Sequence, residues 1–152
     1  MIYNFLPLVF LFVTFFTNTD NKQKTAEVIV NTTTFNNSNA RILNVYSHLN
    51  ANNFAMPNLE SFTEALTGFY EMKEKGLIQK DILTIIDFSL SSNVKRLWVI
   101  DLATNTILNN SLVAHGRNTG EEFATSFSNQ DCSYKSSLGI YATAAVYCGT
   151  HG

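Results

Sequence analysis

Charge of either sign is scarce in this sequence. Ten Lys+Arg stand against twelve Asp+Glu, 14% of 152 residues are charged, and the formal net charge is -2. That balance offers no basic field to hold a phosphate backbone, so nucleic acid is excluded as a partner on composition. Cysteine is scarcer still. Cys132 and Cys148 are the only two, and they are spaced neither as C-x-x-C nor as a zinc array. The three histidines, His48, His115 and His151, are too scattered to complete a metal site. No metal and no cofactor is therefore expected. Two thiols outside the cytosol either oxidise to a bridge or remain two unrelated, partly buried groups, and spacing does not choose between them. Glycines are few, and Gly116 and Gly120 are too badly spaced to cradle a phosphate.

A long apolar run is missing as well. Ile2 to Phe16 is nearly all apolar, with no formal side-chain charge before Asp20. The run is shorter than the roughly eighteen residues that a spanning helix needs, which favours a signal-peptide core over a transmembrane anchor. Two features of such a core are absent: no Lys or Arg precedes the run, and Thr17-Asn18-Thr19 replaces a small-x-small cleavage site. The reading is export to the periplasm or cell envelope through residues 1–17, the alternative being an apolar first element of the folded domain. Residues 18–39, dense in Asn and Thr, read as a tether, because such composition buries too little surface to offset ordering entropy. A single domain is expected over residues 40–152, a length that affords one real core.

Within that domain the period is first helical. Ser38 or Asn39 is expected to cap a short helix, since Ile42, Val45, Tyr46 and Leu49 fall on one face. Pro57 and Asn58 open a second, Leu59, Phe62, Leu66, Phe69, Tyr70 and Lys73 mark its inner stripe and edge, and Gly76 closes it. The period then changes to two. Ile82 to Phe88 predicts a largely buried strand, Arg96 to Leu102 a second, Ile107 to Ala114 a third and Gly139 to Tyr147 one more. The order predicts an α+β fold, mostly β, with its helices ahead of a β-meander.

Candidate chemistry gathers from His115 to Gly152, where polar residues and glycines follow well-patterned strands. His115 at a strand end has the residue type of a general base and equally that of a hydrogen-bonded structural histidine. Glu121 and Glu122, adjacent on an extended segment, point to opposite faces and read as a solvated edge rather than an acid pair. Ser126, Ser128, Ser133, Ser136 and Ser137 lie in neither a G-x-S-x-G elbow nor an S-x-x-K pairing. A Cys148/His151 dyad would need two side chains three residues apart on a strand to share a face, which they do not.

Five blocks read together narrow the field: Leu97-Trp98-Val99-Ile100-Asp101-Leu102, Leu112-Val113-Ala114-His115-Gly116, Ala124-Thr125-Ser126-Phe127-Ser128-Asn129, Ser136-Ser137-Leu138-Gly139-Ile140-Tyr141 and Tyr147-Cys148-Gly149-Thr150-His151-Gly152. In order and wording they resemble the murein L,D-transpeptidase catalytic-domain family, the larger relative of YkuD-type domains, over roughly Leu59 to Gly152. The resemblance implies a sandwich-like domain, incomplete here and so leaving an unpaired sheet edge, that acts on peptidoglycan stem peptides. It also implies a catalytic His-Gly followed by a Ser-x-Gly-Cys nucleophile, and neither is present. His151-Gly152 resembles an earlier, non-nucleophilic His-Gly of the family, and Cys132 and Cys148 fall where the family calls for no cysteine. No catalytic residue is carried over. The expectation is the front portion of a transpeptidase, inactive by itself, and the alternative is a non-enzymatic secreted β-domain that binds cell-wall polymer or a surface protein.

Overall fold

The computed structural model describes residues 38–143. The export segment, the tether up to residue 37, the later part of the Gly139–Tyr147 strand, Cys148 and His151 lie outside the described residues. A first helix, α1, covers residues 38–47, and α2 spans Leu59–Glu74. Three strands follow, β1 (Ile82–Ile86), β2 (Leu97–Asp101) and β3 (Thr106–Ser111), paired antiparallel in the order β1-β2-β3. This is an α+β arrangement with a meander behind its helices. Among the described residues, helix outweighs strand.

Helix α2 follows its local chemistry. The Asn58 side chain accepts from the Glu60 N–H at 2.8 Å, while Gly76, at φ 69°, lets the chain reverse. There the N–H of Gly76 reaches back to the Lys73 carbonyl and that of Leu77 to the Met72 carbonyl, satisfying two otherwise orphaned acceptors. Phe62, Leu66 and Phe69 are buried against the sheet, each contributing about 1.5–3 kcal/mol by leaving water. Leu59, on the expected inner stripe, is instead 40% exposed, being in the first turn where the helix overhangs the core. The expected cap at Ser38 or Asn39 is corrected too, because both residues lie inside α1. Helix α1 already includes Ser38, and from there it carries Ile42 into the core. Tyr46 meets the Phe62 ring edge-on at 5.2 Å and donates its hydroxyl to the Pro57 carbonyl.

The sheet offers one face to the helices. Leu83 and Ile85, Trp98 and Ile100, and Ile107 point inward and form the core with Ile42, Leu49, Phe62, Leu66 and Phe69. β1 was expected to be largely buried, but it alternates, with Ile82, Thr84 and Ile86 exposed. Two helices on one side of a three-stranded sheet leave its other side uncovered among the described residues. A bulge in β3 shifts the register, so that Val99 faces Asn109 while Ile100 faces Ile107. The extra residue, Leu108, turns outward, and Asn110 is buried on the same side as Ile107, donating its amide to the Leu97 carbonyl at 3.0 Å.

The strand expectations shorten: β1 ends at Ile86 rather than Phe88, and β2 runs Leu97–Asp101 rather than Arg96 to Leu102. β3 stops at Ser111 rather than reaching Ala114, because the carbonyl of Val113 is drawn off the ladder by the Arg96 guanidinium. Gly139 to Thr143, the described part of the last expected strand, is not in a strand. Gly139 takes φ 140°, and the Leu138 carbonyl accepts from the side chains of Asn129 and Tyr141 rather than from a neighbouring strand.

Candidate functional site: a polar platform around Arg96, His115 and Thr119

Beyond β3 the described residues form no helix or strand, yet they are closely tied. The anchor is Arg96, immediately before β2, which is fully buried. Its backbone continues the sheet on both sides, bonding Asp87 and Ser111. Its Nη1 donates to the Leu90 carbonyl at 2.7 Å, Nε and Nη2 both donate to the Val113 carbonyl, and the guanidinium lies over the Phe88 ring at 5.2 Å. Nη2 also donates to Nδ1 of His115 at 2.8 Å. Burying a cation costs several kcal/mol unless its donors are met, and here carbonyls, an imidazole lone pair and a ring face meet them. Among the described residues the ion pair is elsewhere, between Lys73 and Asp81.

That contact decides what His115 can do. A guanidinium only donates, so Nδ1 must accept, and the remaining Nε2–H donates to the Gly120 carbonyl at 3.1 Å. Both ring nitrogens are engaged, and the one lone pair that could take a proton from a substrate is directed at a cation. In this geometry His115 joins Arg96 to the loop at Gly120.

The loop closes around Thr119, also fully buried. Its carbonyl accepts from the N–H groups of Thr125 and Ser126, and its hydroxyl accepts from the Ser136 N–H at 2.7 Å. Gly116 donates its N–H to the Ser136 hydroxyl, and a Cβ there would stand 2.6 Å from the Tyr134 carbonyl. Only glycine permits that approach. A Cβ at Gly120, whose φ is 155°, would stand closer still to the Phe123 carbonyl.

The other candidates separate. Glu122 accepts from the Ser91 hydroxyl at 2.6 Å and, through its carbonyl, from the Ser92 N–H, which pins the β1–β2 loop to the platform. Glu121 is exposed beside it. Ser126 accepts from Lys135 Nζ at 2.6 Å, Ser136 and Ser137 hold loop backbone, and Ser133 accepts from the Lys135 N–H. Cys132 is an exposed free thiol. His48 sits on α1's C-terminal end, bonded through Nδ1 to the Asn44 carbonyl. No group of three metal-ligating side chains occurs among the described residues.

Sequence reasoning missed Arg96, read only as the start of a strand, and Asp87, read as part of an apolar one. For Asp87 the available signal was a lone charge inside an apolar run; Arg96, beside Lys95 at the strand's start, carried none. Asp87 is buried at the end of β1. Burial alone would push its carboxyl up, but hydrogen bonds from the Ser89 hydroxyl, the Ser61 hydroxyl and the Ser89 N–H, together with the charge of Arg96, outweigh it and hold the group below its ordinary value. Ser61 belongs to α2, so Asp87 ties that helix to the loop that Arg96 grips.

Residues 55–152 match the family described as L,D-transpeptidase catalytic domain. The chain belongs to that family. No curated protein and no solved structure matches it. The transpeptidase match takes in α2, all three strands and the whole platform, while α1 precedes it. On the platform Cys132 lies on the exposed loop, His115 is committed to Arg96, and Ser126 accepts from Lys135 Nζ.

Proposed function

We propose that these 152 residues are the front portion of an exported L,D-transpeptidase that cross-links peptidoglycan by cysteine acyl transfer. The observation that carries this reading is the family match over residues 55–152. In such an enzyme a cysteine thiolate, activated by histidine, attacks a carbonyl of the donor stem peptide, the C–N bond breaks with loss of the amine, and the resulting thioester passes its acyl group to an acceptor amine. Within the 152 residues there is no Ser-x-Gly-Cys, so the nucleophile is assigned to sequence beyond Gly152. The described residues then serve as scaffold, the sheet as one layer of a sandwich. The exposed outer side of that sheet supports this, for Ile82, Ile86 and Leu108 are apolar side chains of the kind a second layer covers. The apolar run Ile2 to Phe16 supports export.

The DNA beyond the codon for Gly152 tests the reading. In one of the three forward frames it is expected to encode a His-Gly and then a Ser-x-Gly-Cys. A chain extended through that cysteine should take up one carbapenem there, by intact mass, while Cys132 and Cys148 stay unmodified. If no frame holds these motifs, the transpeptidase reading fails and the non-enzymatic wall-binding module replaces it.

A further inference from the structure

Serine hydroxyls are plentiful on the platform, but one differs in its partner. Ser126 Oγ accepts from Lys135 Nζ at 2.6 Å, and both residues are partly buried. They stand nine residues apart, a spacing that no local motif joins, so it is the fold that pairs them. Both arms of the loop hang on Thr119, the buried hub. Its carbonyl accepts the Ser126 N–H, and its hydroxyl accepts the N–H of Ser136, the residue after Lys135. A further tie joins the arms directly, from the Ser128 N–H to the Ser136 carbonyl. Hydroxyl and amine are therefore carried on backbone that is anchored beside each of them. Among the described residues Lys135 meets no carboxylate, and the Ser126 hydroxyl is the only partner of its Nζ there.

A backbone donor lies next in the chain. The N–H groups of Thr125, Ser126 and Ser128 are all bonded, whereas that of Phe127 meets no acceptor among the described residues. The N–H of the residue after a nucleophilic serine is a place from which serine acyl enzymes stabilise the oxyanion. We propose that Ser126 is a nucleophile with Lys135 as its general base, and that the pair hydrolyses small carboxylic esters. Lys135, as the free amine, takes the Oγ proton while Oγ bonds to the ester carbonyl carbon. The C–O bond to the alcohol then breaks, and the alcohol leaves with that proton. Water adds to the acyl-serine as its own proton passes to Nζ, the bond from Oγ to the acyl carbon breaks, and Oγ recovers the proton. Ester and water thus become acid and alcohol. A single backbone donor suits an ester better than an amide, because an alcohol leaves more readily than an amine and the oxyanion needs less support. The pair lies wholly within residues 119–136 and stands or falls independently of any cysteine beyond Gly152.

Active-site labelling of the full chain tests the assignment. With an alkyl fluorophosphonate, Oγ should bond to phosphorus with loss of fluoride, giving one adduct that peptide mass mapping places on Ser126. The same chain should hydrolyse p-nitrophenyl acetate. Ser126→Ala is expected to remove both signals. Lys135→Arg separates a base from a tether, since arginine keeps the positive charge and the hydrogen bond but takes up no proton. A base lost in this way lowers the rates of labelling and hydrolysis by about a hundredfold or more, and Lys135→Met does the same, whereas a tether is rescued by arginine. Unchanged Thr119 and Trp98 amide positions in 15N spectra show that each variant is folded. Absence of an adduct, an adduct on another residue, or parental rates in Lys135→Arg overturns the proposal.

Discussion

The helix-and-meander half of the described chain, up to Ser111, and the platform that follows it are held by different forces. In the first, ten apolar residues leave water together and the backbone is satisfied by helix and ladder. In the second, no side chain except Thr119 is buried, exposed large apolar residues are common, and order comes from hydrogen bonds converging on a few polar atoms. The difference teaches where stability is shared and where it is concentrated. A core loses a fraction of itself when one side chain is cut back, whereas a hub loses everything it gathers.

The largest effect should come from the core. Phe62→Ala is expected to cost about 3–5 kcal/mol in global stability, lowering the denaturant midpoint seen by fluorescence of Trp98 and by circular dichroism alike. Separate transitions for the two probes would show that helix and sheet do not unfold as one unit. Arg96→Met comes next, at about 2–5 kcal/mol, because it strands the partly buried carbonyls of Leu90 and Val113. Since Arg96 serves both halves, this variant should also release protection of the Gly120 amide in hydrogen exchange.

A smaller change sharpens the contrast. Thr119→Val keeps the shape but leaves the Ser136 N–H without its acceptor, for about 1–3 kcal/mol. Its loss should be local: amides of Thr125, Ser126 and Ser136 exchange faster while those of Ile100 and Ile107 do not. Equal acceleration in both regions would erase the distinction between them. The smallest effect is acid sensitivity. Because the folded Asp87 carboxyl is held below its ordinary value of 3.8, it adds stability above that value and loses it as pH falls through the lower folded one. Thermal midpoints measured downward from pH 5 should fall less steeply in Asp87→Asn than in the parent chain.

The same division governs what could be read in advance. Phe62, Leu66 and Phe69 announce α2 by their spacing, Asn58 and Gly76 announce its ends, and Trp98 and Ile100 alternate as a strand should, because apolar burial imprints a period on sequence. The extent of β3 was misjudged at Val113, whose apolar side chain suits a strand while its carbonyl belongs to Arg96. The platform has no period to read. Thr119 and Gly116 owe their importance to backbone approaching from residues 134–136, a separation that no local pattern encodes. The family wording of the later blocks was legible where their geometry was not, and it identified the family without identifying a single working side chain among the described residues.

The burial of Arg96 has a consequence for the order of folding. Its acceptors come from the β1–β2 loop, at Leu90, and from the segment that follows β3, at Val113 and His115, so the guanidinium keeps its water until the β1–β2 loop and the chain beyond β3 have both closed over it. Dehydration of that cation belongs on the native side of the barrier, and Arg96→Met should chiefly speed unfolding while leaving refolding nearly unchanged. A single cation at the root of the sheet thus acts as a latch on the finished structure, slowing its opening more than it hastens its assembly.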